Sequence, residues 1–127
     1  MKAAWAEALD RGDTTALEGL LAEGADVDAC DRYGQTGLMR AAHAGRLDVV
    51  ELLLRHGAAL DVTAKFGLSA LMLAVVGGHT EVARRLARAG ADCTLHGSGA
   101  PGFAGKTARD LALDQGLHQL AEDLNAG

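Results

Sequence analysis

The chain has 127 residues, a formal charge of −5, 49% hydrophobic residues and only 3% aromatics. That length fits one domain with a core of its own. An acidic balance without a long basic stripe argues against nucleic-acid binding, and no apolar run approaches the roughly 20 residues of a membrane span.

The start, MKAAWAEALDRGD, lacks the apolar run of a signal peptide, and Glu7 interrupts it. A soluble, monomeric, cytoplasmic protein is expected, and the Ala, Gly, Leu and Arg bias suggests a bacterial source. Two short helices are predicted first, at residues 2–10 and 14–23, broken by Gly12. Through Asp31 this segment carries eight acids against two bases, a net −6, whereas the rest of the chain is net +1. A polar, solubilising end unit explains the acids, and a docking face for a basic partner is the alternative.

Residues 31–63 and 64–96 follow as two copies of one 33-residue unit. Ten positions are identical, among them Gly34/Gly67, Leu38/Leu71, Ala41/Ala74, Gly45/Gly78, Leu53/Leu86 and Gly57/Gly90. Each unit opens with a turn ending in Gly34 or Gly67. Thr36 or Ser69 then stands where a hydroxyl caps a helix. Gly45 or Gly78 breaks that helix by taking a positive φ. A second helix follows, with Val49, Leu52 and Leu53, or Val82, Ala83 and Leu86, at helical spacing. One such pair of helices cannot hide its apolar positions alone, so the units must stack into a continuous core. The same register extends to the first segment, where Trp5 takes the place of Leu38 and Gly12 that of Gly45.

The last unit, 97–127, repeats the register after five extra residues. The insertion falls in HGSGAPGFAGKT, which holds the only proline, Pro101. Thr107 is placed to cap a helix at 108–114, with Asp110 as capping-box partner. Gly116 turns the chain into a closing helix at 117–124.

The segments GQTGLMRAA…G…VVELLLRHGAA and GLSALMLAV…G…VARRLARAGAD resemble the ankyrin repeat. The resemblance implies an all-α solenoid of four stacked helix-turn-helix repeats with β-turn fingers: an N-terminal cap at 1–30, repeats at 31–63 and 64–96, and a C-terminal cap at 97–127 with an inserted finger. Two family features are altered. The usual Pro is Gly37 or Ala70, and the usual His is Met39 or Met72, so the family's Thr–His hydrogen bond cannot form. Loss of the pre-set φ of Pro implies softer first helices.

By analogy with the family, the function is non-catalytic protein binding through a concave groove of fingers and first helices. The residues carried onto that groove are Arg32, Tyr33, Gln35, His43, Lys65, Phe66, Leu68 and Val76, with Phe103 and Lys106 brought to the same edge by the insertion. Tyr33, Phe66, Leu68 and Phe103 are the expected anchors, since aromatics dominate interface energetics; packing of Tyr or Phe on a neighbouring finger is the structural alternative. A plug-like inhibitor using the 97–105 loop is a variant of this reading.

Other chemistry is poorly supported. The run Ala100–Thr107 resembles a relaxed phosphate loop ending in Gly105-Lys106-Thr107. It lacks a buried strand before it and an aspartate for magnesium, and it coincides with the repeat's own turn and cap. The five histidines have no second ligand at metal spacing and no partnered nucleophile, so neither cofactor nor catalysis is expected. Cys30 and Cys93 lie two units apart, about 20 Å at roughly 10 Å per packed rung. That is too far for a disulfide.

Overall fold

The computed structural model of the chain describes residues 1–125. Its helices come in four pairs: α1 (Ala3–Arg11) with α2 (Thr14–Ala22), α3 (Gly37–Ala44) with α4 (Leu47–Arg55), α5 (Ala70–Val76) with α6 (Thr80–Arg88), and α7 (Ala108–Asp114) with α8 (His118–Asn125). The first helices α1, α3, α5 and α7 pack in sequence, and the second helices α2, α4, α6 and α8 form a parallel row behind them. Among the described residues there is no strand, only two isolated bridges, Cys30 with Thr36 and Gly97 with Ala104. The helix at 108–114 lies where the sequence places it, α1 and α8 each begin and end one residue later than the sequence reading, and α2 ends one residue earlier.

Local chemistry sets the boundaries. Thr36 and Ser69 are buried, and their hydroxyl oxygens accept the backbone N–H of Met39 and Met72 at 3.3 Å. Each thereby satisfies an orphan donor of its helix start. Thr107 makes the full capping box: its hydroxyl accepts from Asp110 N, and the Asp110 carboxylate accepts from Thr107 N. That backbone bond chiefly holds the Asp110 carboxyl below the usual carboxylate range. Gly12 and Gly45 end α1 and α3 in the left-handed region, at φ 67° and 74°.

The core runs unbroken through the stack: Trp5, Leu17, Leu38, Val49, Leu53, Leu71, Leu86, Leu111 and Leu120 are all buried. Each such side chain contributes about 1.5–3 kcal/mol of transfer free energy. Gly37 also has a packing reason. A Cβ there would sit 3.3 Å from both Leu9 methyls and 3.4 Å from Trp5 Nε1. The small residue at the family's Pro position thus leaves space for the indole that replaces leucine in the first unit.

Side chains fasten successive units where the first helices end. Arg46 Nη2 donates to Asp10 O at 3.0 Å, His79 Nε2 lies 3.0 Å from His43 O, and Gln115 Nε2 donates to Val75 O at 2.8 Å. A carbonyl can only accept, so His79 carries its proton on Nε2. The loops are fastened in the same periodic way, with Asp28 accepting from Ala59 N and Asp61 from Asp92 N, each at 2.8 Å. On the second helices, ion pairs join Glu18 to Arg55, Glu51 to Arg85 and Arg84 to Asp123. The Arg84 guanidinium, donating to Asp123, lowers that carboxyl and is itself raised. Four of the eight acids through Asp31 therefore hold backbone groups: Asp13 caps α2, Asp26 and Asp28 hold the loop, and Asp31 holds the next turn.

Candidate binding surface

The three fingers that precede α3, α5 and α7 are built differently. In the first finger, Asp31 Oδ1 accepts from Tyr33 N at 2.9 Å and Gln35 N at 3.0 Å, an Asx turn closed by Gly34 at φ 78°. This leaves Tyr33 at the tip with 63% of its surface exposed. The Arg32 guanidinium lies 5.3 Å from the Tyr33 ring centroid, within cation–π range.

The second finger lacks that carboxylate, because Ala64 stands where Asp31 does in the first. It forms a 3-10 turn at Lys65–Gly67, and Phe66 takes φ 64°, ψ 19°. Among the described residues Phe66 is the single non-glycine with positive φ. That conformation costs about 1–2 kcal/mol. Two contacts offset it: Ser98 N donates to Phe66 O at 2.7 Å, and the Phe66 and Phe103 rings pack with centroids 5.8 Å apart. Lys65 Nζ lies 4.9 Å from the Phe66 ring centroid.

The inserted third finger is a closed loop. Gly97 N donates to Lys106 O at 2.8 Å and Gly105 N to Gly97 O at 3.0 Å. Within it, Phe103 N and Ala104 N both donate to Ala100 O, and Lys106 N donates to Phe103 O. These N–H groups are directed at the chain's own carbonyls, so the loop offers no phosphate cradle. The Thr107 hydroxyl is occupied as a helix cap, and Lys106 Nζ pairs with Asp114. Gly105-Lys106-Thr107 is a turn and cap, as its register with Gly34-Gln35-Thr36 implies.

The ten residues assigned to the groove separate into groups. Arg32 and Tyr33 project from the first finger. Lys65, Phe66 and Phe103 form one cluster at the second and third, with both rings half-buried against each other. Val76 is half-buried on α5. Leu68 requires correction: it is only 6% exposed and belongs to the core, so it is not available as an anchor. Its counterparts Gln35 and Lys106 are polar and less buried, and the apolar leucine instead turns inward.

Gln35 and His43 line a cavity of about 240 Å³ with Leu9, Asp10, Arg40, Ala44 and Arg46. Asp10, Arg40 and Arg46 were not among the groove residues inferred from sequence. The signal was available: Arg40 aligns with Leu73, and a charge opposite an apolar residue in a repeat marks a position with a separate task.

Among the described residues, no group of three or more His, Cys, Asp or Glu side chains is placed to hold a metal ion. No described helix is long and apolar enough to cross a membrane. Cys30 is exposed and Cys93 half-buried, both as free thiols. Burial, then Asp92 and Asp61, pushes the Cys93 thiol above its ordinary value.

A family model describing ankyrin repeats in three copies matches residues 1–96. No curated protein matches the chain significantly. The helix pair α7–α8 lies beyond the matched span but keeps the same hydroxyl cap, turn glycine and packing on α5 and α6. Ankyrin repeats mediate protein–protein interactions, and the chain belongs to the ankyrin-repeat family.

Proposed function

We propose that the chain is a non-catalytic module that binds a partner protein through the concave face of its fingers and first helices. One observation carries this reading. The turn that carries Tyr33 is held by two hydrogen bonds to the Asp31 carboxylate, from Tyr33 N and Gln35 N, yet 63% of Tyr33 faces solvent. The backbone that presents this aromatic is already ordered, so that part of the entropy cost of binding is met in advance, and exposed aromatics anchor interfaces. Arg32, His43, Lys65 and Val76 complete the surface around it, and the Phe66–Phe103 pair forms its rigid end. A monomer in the cytoplasm is the setting in which such a module works with two free thiols.

The experiment is capture from a lysate of the source organism by three immobilised forms. These are the wild type, the finger variant Tyr33→Ala/Lys65→Glu, and the second-helix variant Arg88→Glu. A partner retained by the wild type and Arg88→Glu but lost by the finger variant supports the reading. Loss with Arg88→Glu and retention by the finger variant would place binding on the opposite side and refute it. Thermal melts of all three forms exclude unfolding as the cause.

The inserted finger supports a second reading, a loop that enters a partner enzyme's site. It is closed by its own hydrogen bonds, and Pro101 and Gly102 are exposed. Pro101→Glu would abolish such an activity while leaving finger-face capture intact.

A further inference from the structure

We infer that the cavity between the first and second repeats takes a carboxylate, namely the acidic side chain of a partner bound on the finger face. The inference rests on the protein-binding reading and names the chemistry the partner must bring.

The cavity, about 240 Å³, lies where α1 and α3 end beside the base of the first finger. Arg40 carries the argument. Its side chain is only 24% exposed, and its guanidinium pairs with Asp10 Oδ1. A second N–H points at the Met1 thioether sulfur, 3.2 Å away, a weak acceptor. A guanidinium has five donors in a planar fork suited to bidentate carboxylate contact, and a thioether leaves that demand poorly met. Asp10 is itself 65% exposed, so it can turn to solvent while an incoming carboxylate takes its place.

The surroundings suit an anion of one charge. Helix C-termini carry partial negative charge and would oppose it, but both ends at this cavity are covered. Arg46 donates to Asp10 O at 3.0 Å and lies 3.5 Å from Arg11 O at the end of α1, and His79 is hydrogen-bonded to His43 O at the end of α3. With Arg46 engaged at the carbonyl end of α1, Arg40 is the cation that faces an incoming carboxylate once Asp10 turns away, in a chain of net −5. Gln35 and His43 add polar side chains around the same space. A partial burial that weakens solvent screening makes such a contact stronger than at an open surface.

The test is a titration followed by NMR of backbone amides and the Arg and His side chains, using N-acetyl-glutamate amide, N-acetyl-glutamine amide and inorganic phosphate as separate probes. The expected result is saturable shifts at Gln35, Arg40, His43 and Ala44 with the glutamate probe. The glutamine probe should bind about tenfold more weakly, the usual effect of losing a charge-assisted hydrogen bond. Arg40→Gln should weaken the glutamate probe by a similar factor. His43→Ala, an exposed change that leaves the Arg40–Asp10 pair in place, should weaken it severalfold. Equal binding of the two amides, absence of saturable shifts at these residues, or tighter binding of phosphate would overturn the assignment. If the titration fails while the finger variant still loses its captured partner, the carboxylate site falls and the binding face stands. If capture never depends on the fingers, the wider reading falls.

Discussion

Gly97→Ala isolates what the inserted finger contributes. Gly97 is buried and does not need the left-handed region, so backbone strain does not enter. A Cβ there would sit 2.3 Å from Phe103 O and 2.8 Å from Phe103 Cβ. Both Phe103 atoms belong to the loop itself, so relief requires the loop to swing away. Two closing hydrogen bonds, Gly97 N to Lys106 O and Gly105 N to Gly97 O, are then lost, about 1 kcal/mol each. The Phe66–Phe103 contact adds about 1 kcal/mol. Phe66, released, recovers about 1 kcal/mol by leaving the left-handed region. The net cost is about 2 kcal/mol. At an m value near 2 kcal/mol/M this lowers the urea midpoint by about 1 M. Gly102→Ala in the same loop is the control, because nothing lies within 4 Å of its Cβ position. It should be neutral or stabilise by about 0.5 kcal/mol. The measurement is urea unfolding by circular dichroism, with the aromatic NMR shifts of Phe103 reporting the contact. A Gly97→Ala protein within about 0.5 kcal/mol of wild type, with Phe103 still packed, would refute the reasoning.

Other outcomes follow from the same geometry. Gly45→Ala and Gly57→Ala both force a left-handed alanine, at φ 74° and 78°, and each should lose about 1 kcal/mol for that alone; only at Gly45 would the new Cβ meet His79 Nδ1, at 2.4 Å, so a further loss of about 1 kcal/mol is expected there. Equal unfolding midpoints for the two variants would show that His79 is not a fastening. Thr107→Ala should cost about 1 kcal/mol through the lost cap. Stability should also fall with acid: Asp110 and Asp123 are held below their ordinary values by Thr107 N–H and by Arg84, so their contribution is complete above the ordinary carboxylate value and is lost as pH drops through the lowered folded ones. Asp110→Asn should flatten that decline below about pH 4, read from urea midpoints at several pH values; an unchanged acid profile would count against Asp110. Finally, Cys30 should react with a thiol reagent well before Cys93, whose thiol is half-buried and raised; the order is read by mass spectrometry of partially labelled protein.

The parts of the fold that repeat were legible because repetition exposes their cause. Gly45 and Gly78 recur because a turn needs positive φ, and Thr36, Ser69 and Thr107 recur because α3, α5 and α7 each start on a hydroxyl cap. Leu53 and Leu86 recur because neighbouring pairs share one core. The candidate site was legible only in outline, since it consists of positions where the units differ. Leu68 was misplaced because its sequence position faces the groove in polar units and turns inward when the residue is a leucine. The left-handed Phe66 was hidden for a different reason: it arises from an absent side chain, the carboxylate that Asp31 supplies and Ala64 does not. Arg40 was marked only by its contrast with Leu73, and its partner could not be read, because Asp10 lies in the preceding unit and pairing across units leaves no local pattern.

The fastening at the turns bears on how such a chain can change over time. Arg46, His79 and Gln115 are three unlike side chains, yet each reaches a main-chain oxygen of the unit before it. An acceptor made of backbone is the same whatever residue bears it. A neighbour can therefore exchange its side chains without unfitting the joint, and the joint can exchange one donor for another without informing the neighbour. Two units that descend from one copy are free to drift apart in what they display while remaining stackable, and the surface that meets other proteins can diversify without renegotiating the assembly beneath it.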